Sequence, residues 1–428
     1  MKRVLCLVLT LFLLAGTIFA GGKQEGAAAG KVTLDVLAYG DAANVEGQQW
    51  ISIVEGFMSE NPDIEIKYEL LYDEAYHQKR TARIAAGDVP DLAYLGADAR
   101  WGKDWMEAGL LVDHRKWLDP GYYDLSLIPP MGPNGEVWYV PLGTSNITTV
   151  LYMNRALVEQ LGFSAPKTYE DLVAMVPTAR AKGLNVVEIA GADGWVWGSC
   201  LMSGVVGRIT GDPTWVQKAV KGEKKFTDPE FVASLALLKK MVDDGVISSK
   251  CLLVNYGTAL SNFNNQKALF MIDGQWRAGG IDPTLAENVE LLPIPKLPGE
   301  KPNVAGSAAA AISVGYGLTK AGADDPAKRE AGLRFLQYFN SPMWVEQRLR
   351  DGAIVAPILK NFPLPDDLPT IVKRKVVFAQ GVKVITDVID AHLSGAANDA
   401  LNAGMQKIVG GQATAEEVAA QVEKLARQ

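Results

Sequence analysis

Three aspartates, Asp41, Asp98 and Asp273, each follow a segment that is predicted to form a strand. The carboxyl ends of neighbouring parallel strands meet at one edge of a sheet, so these three side chains could share one cleft. Two carboxylates at a suitable separation can hydrolyse a glycosidic bond, whereas single carboxylates accept hydrogen bonds from hydroxyl groups without reacting. The residues alone leave both chemistries open, and the organisation of the rest of the chain favours the second.

Aromatic residues cluster in loops at the ends of predicted strands. The run Gly194-Trp195-Val196-Trp197-Gly198 follows a predicted strand at 186–190, and Trp276 follows a glycine turn. Large aromatic residues mostly fill cores, but their clustering in loops favours a binding role here. Flat rings pack on the apolar C–H face of a sugar, while the hydroxyl rim of the sugar needs polar partners. The predicted ligand-binding residues are the rings Tyr39, Trp195, Trp197 and Trp276 and the polar groups Asp41, Asp98, Asn146, Asp273 and Arg277.

Motifs for other chemistries are absent from the sequence. It contains no GxSxG motif, no phosphate-binding P-loop, and no GxGxxG motif after a strand. Its three histidines, His77, His114 and His392, are too scattered to predict a metal site. We therefore expect no catalytic residue, no metal and no cofactor. An exported carbohydrate-active enzyme remains an alternative, because paired carboxylates can be distant in sequence.

The amino-terminal residues are typical of an exported protein. Lys2 and Arg3 precede an apolar run at 4–14, and Ile18-Phe19-Ala20 then stands before Gly21-Gly22, which predicts a signal peptide at 1–20 that is cleaved after Ala20. Residues 21–30 are small and polar and are expected to form a flexible leader. No cysteine stands where a lipid anchor would be attached, so we expect a free periplasmic protein.

Length, charge and cysteine content narrow the classes of protein and partner that remain. A chain of 428 residues is too long for one ordinary domain, which predicts two lobes. The formal net charge of −7 disfavours nucleic acid and anionic membranes as partners, and no later segment is apolar for long enough to insert into a membrane. Cys200 and Cys251 are expected to be two separate buried thiols, with a disulfide between them as the alternative.

The stretch from Phe57 to Leu111 predicts the fold class. A helix ends at Asn61-Pro62, an alternating strand runs over 64–70, a second helix ends at Gly87, and a short buried strand follows Pro90. This alternation of strands and helices predicts an α/β protein with a largely parallel sheet, which binds ligands beyond the carboxyl ends of its strands.

Five stretches together resemble, in the same order, the family 1 extracellular solute-binding proteins, which include the maltose-binding-protein-like sugar receptors of ABC importers. The resemblance implies a two-lobed periplasmic-binding-protein fold of type II-like topology, with three hinge crossings and a ligand cleft between the lobes. Lobe 1 would comprise 31–143 plus 292–340, and lobe 2 would comprise 144–291 plus 341–428. The five stretches are 57–111, 137–154, 166–172, 266–277 and 340–342.

The same resemblance implies a function. The protein would be the substrate-binding component of an ABC importer, a monomer that captures a sugar or short oligosaccharide between closing lobes. It would deliver that ligand to a membrane permease driven by a separate ATPase. By position, Trp195 and Trp276 match residues that stack on sugars in relatives, whereas Asn398 stands where some relatives have a further aromatic residue, which implies a short ligand. A receptor for a non-sugar solute such as a polyamine is a further alternative.

Overall fold

The computed structural model describes residues 30–428 except 145, 387 and 394. The predicted signal peptide and almost all of the predicted leader lie outside the described residues. The strands are β1 Val32–Tyr39, β2 Ile64–Leu71, β3 Leu92–Leu95, β4 Val140–Pro141, β5 Asn146–Ile147, β6 Val150–Asn154, β7 Asn185–Glu188, β8 Ala268–Asp273, β9 Val289–Leu292, β10 Ala308–Ala311, β11 Gly315–Leu318 and β12 Val384–Thr386.

The helices of the described residues surround three sheets. They are α1 Val45–Glu60, α2 Glu74–Ala86, α3 Lys103–Glu107, α4 Arg155–Gln160, α5 Tyr169–Ala181, α6 Gly194–Val196, α7 Ser203–Thr210, α8 Trp215–Val220, α9 Pro229–Asp243, α10 Tyr256–Asn264, α11 Pro283–Ala286, α12 Lys320–Asp324, α13 Pro326–Phe339, α14 Pro342–Arg350, α15 Thr370–Gly381, α16 Gly395–Val409 and α17 Ala415–Ala426.

The first lobe is built on a five-stranded sheet in the order β2-β1-β3-β11-β4. β1 pairs in parallel with β2 and β3, and β11 is antiparallel to both β3 and β4. Helix α1 buries Trp50, Ile53, Val54 and Phe57 in this lobe, the spacing expected of an amphipathic helix. Because β1, β2 and β3 are parallel, their carboxyl ends open on the same edge of the sheet.

The second lobe is built on a four-stranded sheet in the order β7-β8-β6-β9. β7 and β8 are parallel, while β6 is antiparallel to β8 and β9. All six residues of β8 are buried, as expected of a central strand that is covered on both faces. β7 and β8 therefore present their carboxyl ends together, as the strands of the first lobe do.

A small sheet in the order β12-β10-β5 lies where the chain passes between the two lobes. Ile147 and Asn146 of β5 pair with Ala310 and Ala311 of β10 in antiparallel register. The sequence predicts a single strand over 147–154, but the chain forms two strands there, because β5 belongs to this sheet and β6 to the second lobe. The exact lobe boundaries given above remain a prediction.

Several local sequence signals are confirmed. Gly87 ends α2 in the left-handed conformation with φ 69°, which a glycine adopts without steric cost. Thr168 begins α5 with a reciprocal capping box to Asp171. The sequence at 136–141 also predicts a strand, and this prediction is wrong except for Val140–Pro141. Glu136 instead closes a turn in which its carbonyl accepts from the backbone N–H of Met131 at 2.8 Å.

Cys200 and Cys251 are both buried and free, which confirms the expectation of two separate thiols. Burial raises the pKa of each thiol, to about 12 for Cys251. Among the described residues, no helix has the length and apolar character needed to cross a membrane.

Candidate functional site

A cavity of about 140 Å³ lies between the two lobes, at the carboxyl ends of their parallel strands. Seven of its lining residues are aromatic, and they come from both lobes. The lining residues are Tyr39, Glu46, Tyr72, Asp73, Tyr94, Arg100, Trp101, Leu142, Asn146, Trp195, Tyr256, Trp276, Ser313, Val314 and Ala353.

The wall from the first lobe is a cluster of tyrosine rings. Tyr39 ends β1 and Tyr72 directly follows β2, while Tyr94 lies in β3, so the parallel pairing of these strands brings the three side chains together. The rings of Tyr39 and Tyr94 are nearly parallel, with centroids 4.9 Å apart, and the Tyr72 ring lies 5.2 Å from that of Tyr39. Burial raises the pKa of all three phenols, which are therefore neutral hydrogen-bonding groups at physiological pH.

The loop after β3 adds Arg100 and Trp101 to the same wall. Asp98 holds this loop, because its Oδ1 accepts a hydrogen bond from the backbone N–H of Trp101 at 2.8 Å. The guanidinium of Arg100 pairs with Glu74 at 2.8 Å and with Asp73 at 3.6 Å. It also lies 5.9 Å from the ring centroid of Trp195, a residue of the opposite lobe. The two lobes therefore meet across the cavity.

The wall from the second lobe is a platform of three rings. Trp195 lies in the short helix after β7, Trp276 in the turn after β8, and Tyr256 at the start of α10. The Trp195 centroid is 5.1 Å from that of Tyr256 and 6.5 Å from that of Trp276. The indole N–H of Trp276 donates to the hydroxyl of Tyr256 at 2.6 Å, which fixes both rings. This platform presents apolar ring surface to the cavity, as a sugar face requires.

Asp273 and Arg277 lie directly behind this platform. Arg277 Nε donates to Asp273 Oδ2 at 2.8 Å, and its guanidinium stacks on the Tyr256 ring 3.4 Å from the centroid. The Tyr256 hydroxyl in turn donates to Asp273 Oδ1 at 3.1 Å. Burial raises the pKa of Asp273, and the adjacent Arg277 opposes that shift. This buried pair positions Tyr256 and Trp276 without lining the cavity itself.

Glu46 projects from the first turn of α1 into the cleft. Asn44 begins this helix by accepting a hydrogen bond from the backbone N–H of Gly47 at 2.8 Å, which fixes the turn that carries Glu46. The surrounding protein displaces bulk water and raises the pKa of the carboxyl, and the nearby Arg277 opposes that shift. None of the described residues forms an ion pair with Glu46.

Four of the nine predicted ligand-binding residues line the cavity. They are Tyr39, Asn146, Trp195 and Trp276. The amide of Asn146 lies in the first crossing between the lobes, and its Oδ1 accepts from Gln275 Nε2 at 3.2 Å. Direct contact of these four residues with a ligand remains a prediction.

The other five predicted residues do not line the cavity. Asp98, Asp273 and Arg277 lie behind its walls, as described above. Trp197 is fully buried in the core of the second lobe, where its indole N–H donates to the carbonyl of Gly191 at 3.0 Å. Asp41 is exposed before α1, and its Oδ1 accepts from the backbone N–H of Ala43 at 2.9 Å. The three predicted carboxylates Asp41, Asp98 and Asp273 therefore do not meet in one cleft, which corrects that expectation.

Comparisons with known proteins agree with this architecture. A family model described as "Bacterial extracellular solute-binding protein" matches residues 41–346. A multiple sugar-binding protein of Streptococcus mutans is 25% identical over 228 residues, which are 52% of this chain and 53% of that protein. Putative binding proteins of Brucella are 26% identical over 37% of this chain and 38% of their own length. The aligned region thus spans about half, or less, of these curated relatives.

Solved structures match over almost the whole chain. A chitin oligosaccharide binding protein superposes with a TM-score of 0.82 at 22% identity, covering 93% of this chain and 98% of that one. A maltose-bound MalE3 of T. maritima superposes with a TM-score of 0.75 at 20% identity, covering 92% of this chain and 99% of that one. At these identities the superpositions establish the two-lobed fold.

Proposed function

Because the chain belongs to the bacterial extracellular solute-binding proteins, we propose that it is the carbohydrate receptor of an ABC importer. In this role it binds a sugar or short oligosaccharide between its lobes and delivers it to a membrane permease driven by a separate ATPase. The protein acts as a monomer in the periplasm after removal of its signal peptide, and it does not alter its ligand chemically. The family and the similar structures are binding proteins, which supports this proposal over that of an exported enzyme.

The observation that carries the proposal is the pairing of two aromatic walls across one small cavity. Trp195, Trp276 and Tyr256 offer ring faces on the second lobe, and Tyr39 and Tyr72 offer rings and hydroxyl groups on the first. A sugar has an apolar face and a polar rim, so it suits a site with both kinds of group. The volume of about 140 Å³ lies below the roughly 300–1,000 Å³ of pockets for drug-sized ligands, which favours a short carbohydrate.

Closure follows from contacts that exist in one state only. A ligand that touches both walls gains its full set of contacts only when the lobes are together, so binding shifts the open and closed populations by that difference in affinity. The backbone N–H of Ala99 on the first lobe donates to the carbonyl of Ala391 on the second at 3.1 Å, a contact of the closed form. The closed receptor is then the form that the permease would recognise.

Thermal unfolding of the ligand-stripped protein tests the assignment. A ligand at a hundredfold excess over its Kd stabilises the folded state by about 2.7 kcal/mol, so the correct sugar is expected to raise the Tm by a few degrees. The panel contains neutral sugars, amino sugars, sugar alcohols and polyamines. A shift that decays as the sugar is cleaved would support the enzyme instead. A polyamine as the only active compound, or no response at all, would contradict the carbohydrate assignment.

The variant Trp276→Ala is expected to weaken binding of that sugar by roughly 10- to 100-fold. The indole is a large part of the ring platform, and burying an aromatic side chain against a partner is worth about 1.5–3 kcal/mol. Isothermal titration calorimetry measures the change. Trp117→Ala is the matched control, because Trp117 is partly buried in the first lobe and does not line the cavity. Equal losses from the two variants would place the sugar elsewhere.

A further inference from the structure

Glu46 differs from the other charged residues at the cavity in lacking a counter-ion. Arg100 is paired with Glu74 and Asp73. Arg277 is paired with Asp273 at 2.8 Å and also donates to the backbone carbonyl of Tyr256. Both cations are therefore already engaged by other acceptors, and within the described part of the chain Glu46 has no ion-pair partner, although the field of the engaged Arg277 reaches it.

The surroundings of Glu46 make its charge costly in a closed, occupied cleft. Its side chain is exposed to the water of the cleft, but protein surrounds it closely enough to raise the pKa of the carboxyl. Burial is the main cause of the raised pKa of Tyr39, Tyr72 and Tyr94, and the negative charge of Glu46 adds to each shift, so these phenols lie within its field. A ligand that displaces the water removes the main solvation of the carboxylate.

The chemistry of the ligand decides whether that loss is compensated. A neutral sugar can donate a hydroxyl hydrogen bond to Glu46, but it leaves the negative charge without a counter-ion. A protonated amine donates hydrogen bonds and also neutralises the charge, so it adds a Coulomb attraction to the carboxylate that a neutral hydroxyl group lacks. The ring faces of the neighbouring tyrosines are regions of negative potential, and they attract a cation as well.

We propose that the ligand is an amino sugar with a protonated primary amine, whose ammonium group binds Glu46 while a face of its sugar ring lies on Trp195 and Trp276. This inference rests on the proposed function and adds the charge of the ligand to it. Glu46 is then the residue that selects the cationic sugar over its neutral counterparts.

Calorimetric titration with matched sugars tests the charge preference. Glucosamine, galactosamine and the β-1,4-linked dimer of glucosamine are each compared with the parent hydroxyl sugar and with the N-acetylated form, which has no charge. At pH 7 and low salt we expect at least one amino sugar to bind tenfold or more tightly than both of its neutral counterparts.

The variant Glu46→Gln isolates the carboxylate. It keeps the size of the side chain but removes its charge, so it is expected to weaken the binding of the amino sugar far more than that of its neutral counterparts and thereby to abolish the tenfold preference. Glu55→Gln is the matched control, because Glu55 lies on the same helix with an exposed side chain away from the cavity. The Tm without ligand confirms that both variants are folded.

The outcomes separate this inference from the proposed function. Neutral sugars that bind as tightly as amino sugars, or an amine preference that survives Glu46→Gln, would overturn the inference and leave the carbohydrate receptor intact. Binding of putrescine or spermidine with no response to any sugar would overturn both. Loss of the preference in Glu46→Gln but not in Glu55→Gln supports the inference.

Discussion

Replacing Arg208 by methionine is expected to lower the free energy of unfolding by about 3–5 kcal/mol, because it leaves a buried carboxylate without its partner. Arg208 and Glu300 each have a side-chain exposure of 1%, and Arg208 Nε donates to Glu300 Oε2 at 2.8 Å. The guanidinium also donates to the carbonyl of Ile294 at 2.6 Å and to that of Pro295 at 2.9 Å. One side chain thus fastens α7 to the segment that leaves the second lobe after β9.

Equilibrium unfolding in urea measures this loss. Arg334→Met is the matched control, since Arg334 pairs with Asp63 at side-chain exposures of 41% and 60% and should contribute less than about 1 kcal/mol. The double variant Arg208→Met with Glu300→Leu is expected to recover a large part of the loss, because a buried ion pair can often be exchanged for apolar residues. A single variant at Arg208 no more destabilised than the control would refute this account.

A second large effect is expected from pH, because two carboxyl groups from opposite lobes lie close enough for the charge of one to raise the pKa of the other. Asp98 on the first lobe and Asp390 on the second flank the hydrogen bond between Ala99 and Ala391. Burial and the charge of Asp390 raise the pKa of Asp98 to about 7, and the positive charges of Arg100 and Arg80 oppose that shift. Burial likewise raises the pKa of Asp390. The hydrogen bond from Ser199 and the nearby Arg100 and His392 oppose that shift.

The direction of the pH effect depends on whether the open or the closed form binds a proton more tightly at Asp98. Separation of the lobes would remove the charge of Asp390 and admit water, so the pKa of Asp98 is expected to fall toward its ordinary range of about 4 in the open form. In the closed form its pKa is about 7, so closure takes up a proton at pH values between these two. Protonation therefore stabilises the closed form below pH 7, and this contribution is lost as the pH rises through 7. Because the ligand selects the closed form, its affinity should rise on acidification by at most tenfold per pH unit.

Affinities at pH 8, 7 and 6 measure this dependence, with an expected gain of roughly tenfold between pH 8 and pH 6. Asp98→Asn mimics the protonated carboxyl, so it should bind tightly at pH 8 and lose most of the dependence. Glu46 also lies in the cleft and contributes to the pH dependence. Comparing the affinities of Asp98→Asn and the parent protein at each pH separates the contribution of Asp98 from that of Glu46. Asp324→Asn, at an exposed surface position, should leave the profile unchanged. An unaltered profile in Asp98→Asn would contradict the prediction.

The two tryptophans of Gly194–Gly198 show what the sequence could and could not predict. Their clustering after a strand correctly predicted that aromatic surface would reach the cavity, and Trp195 does so. The segment, however, forms the start of a helix rather than a loop, and residues two apart on a helix point to nearly opposite sides. Trp197 therefore points into the core. Nothing in the local pattern distinguishes one tryptophan of this pair from the other.

Glu46 is a residue of the cavity that the sequence analysis did not predict. An acidic residue in the first turn of a helix is expected on local grounds, because it favours the positive end of the helix dipole. Its position at the end of the cleft depends on how α1 leaves β1 and on the approach of the second lobe, and both are long-range features. The succession of strands and helices along 57–111 and the glycine turn before Trp276 are encoded locally, whereas the exclusion of Asp41 and Asp273 from the cavity is not.

The arrangement of Trp101, Trp195 and Trp276 around one cavity gives the protein an intrinsic optical signal. Three of its ten indoles line the cleft, and Arg100 lies over one of them only while the lobes are together. Separation of the lobes admits water to these rings and withdraws the guanidinium. The ultraviolet emission of the unlabelled protein should therefore change in wavelength and intensity with lobe position, so stopped-flow fluorescence can time opening and closing without an attached dye.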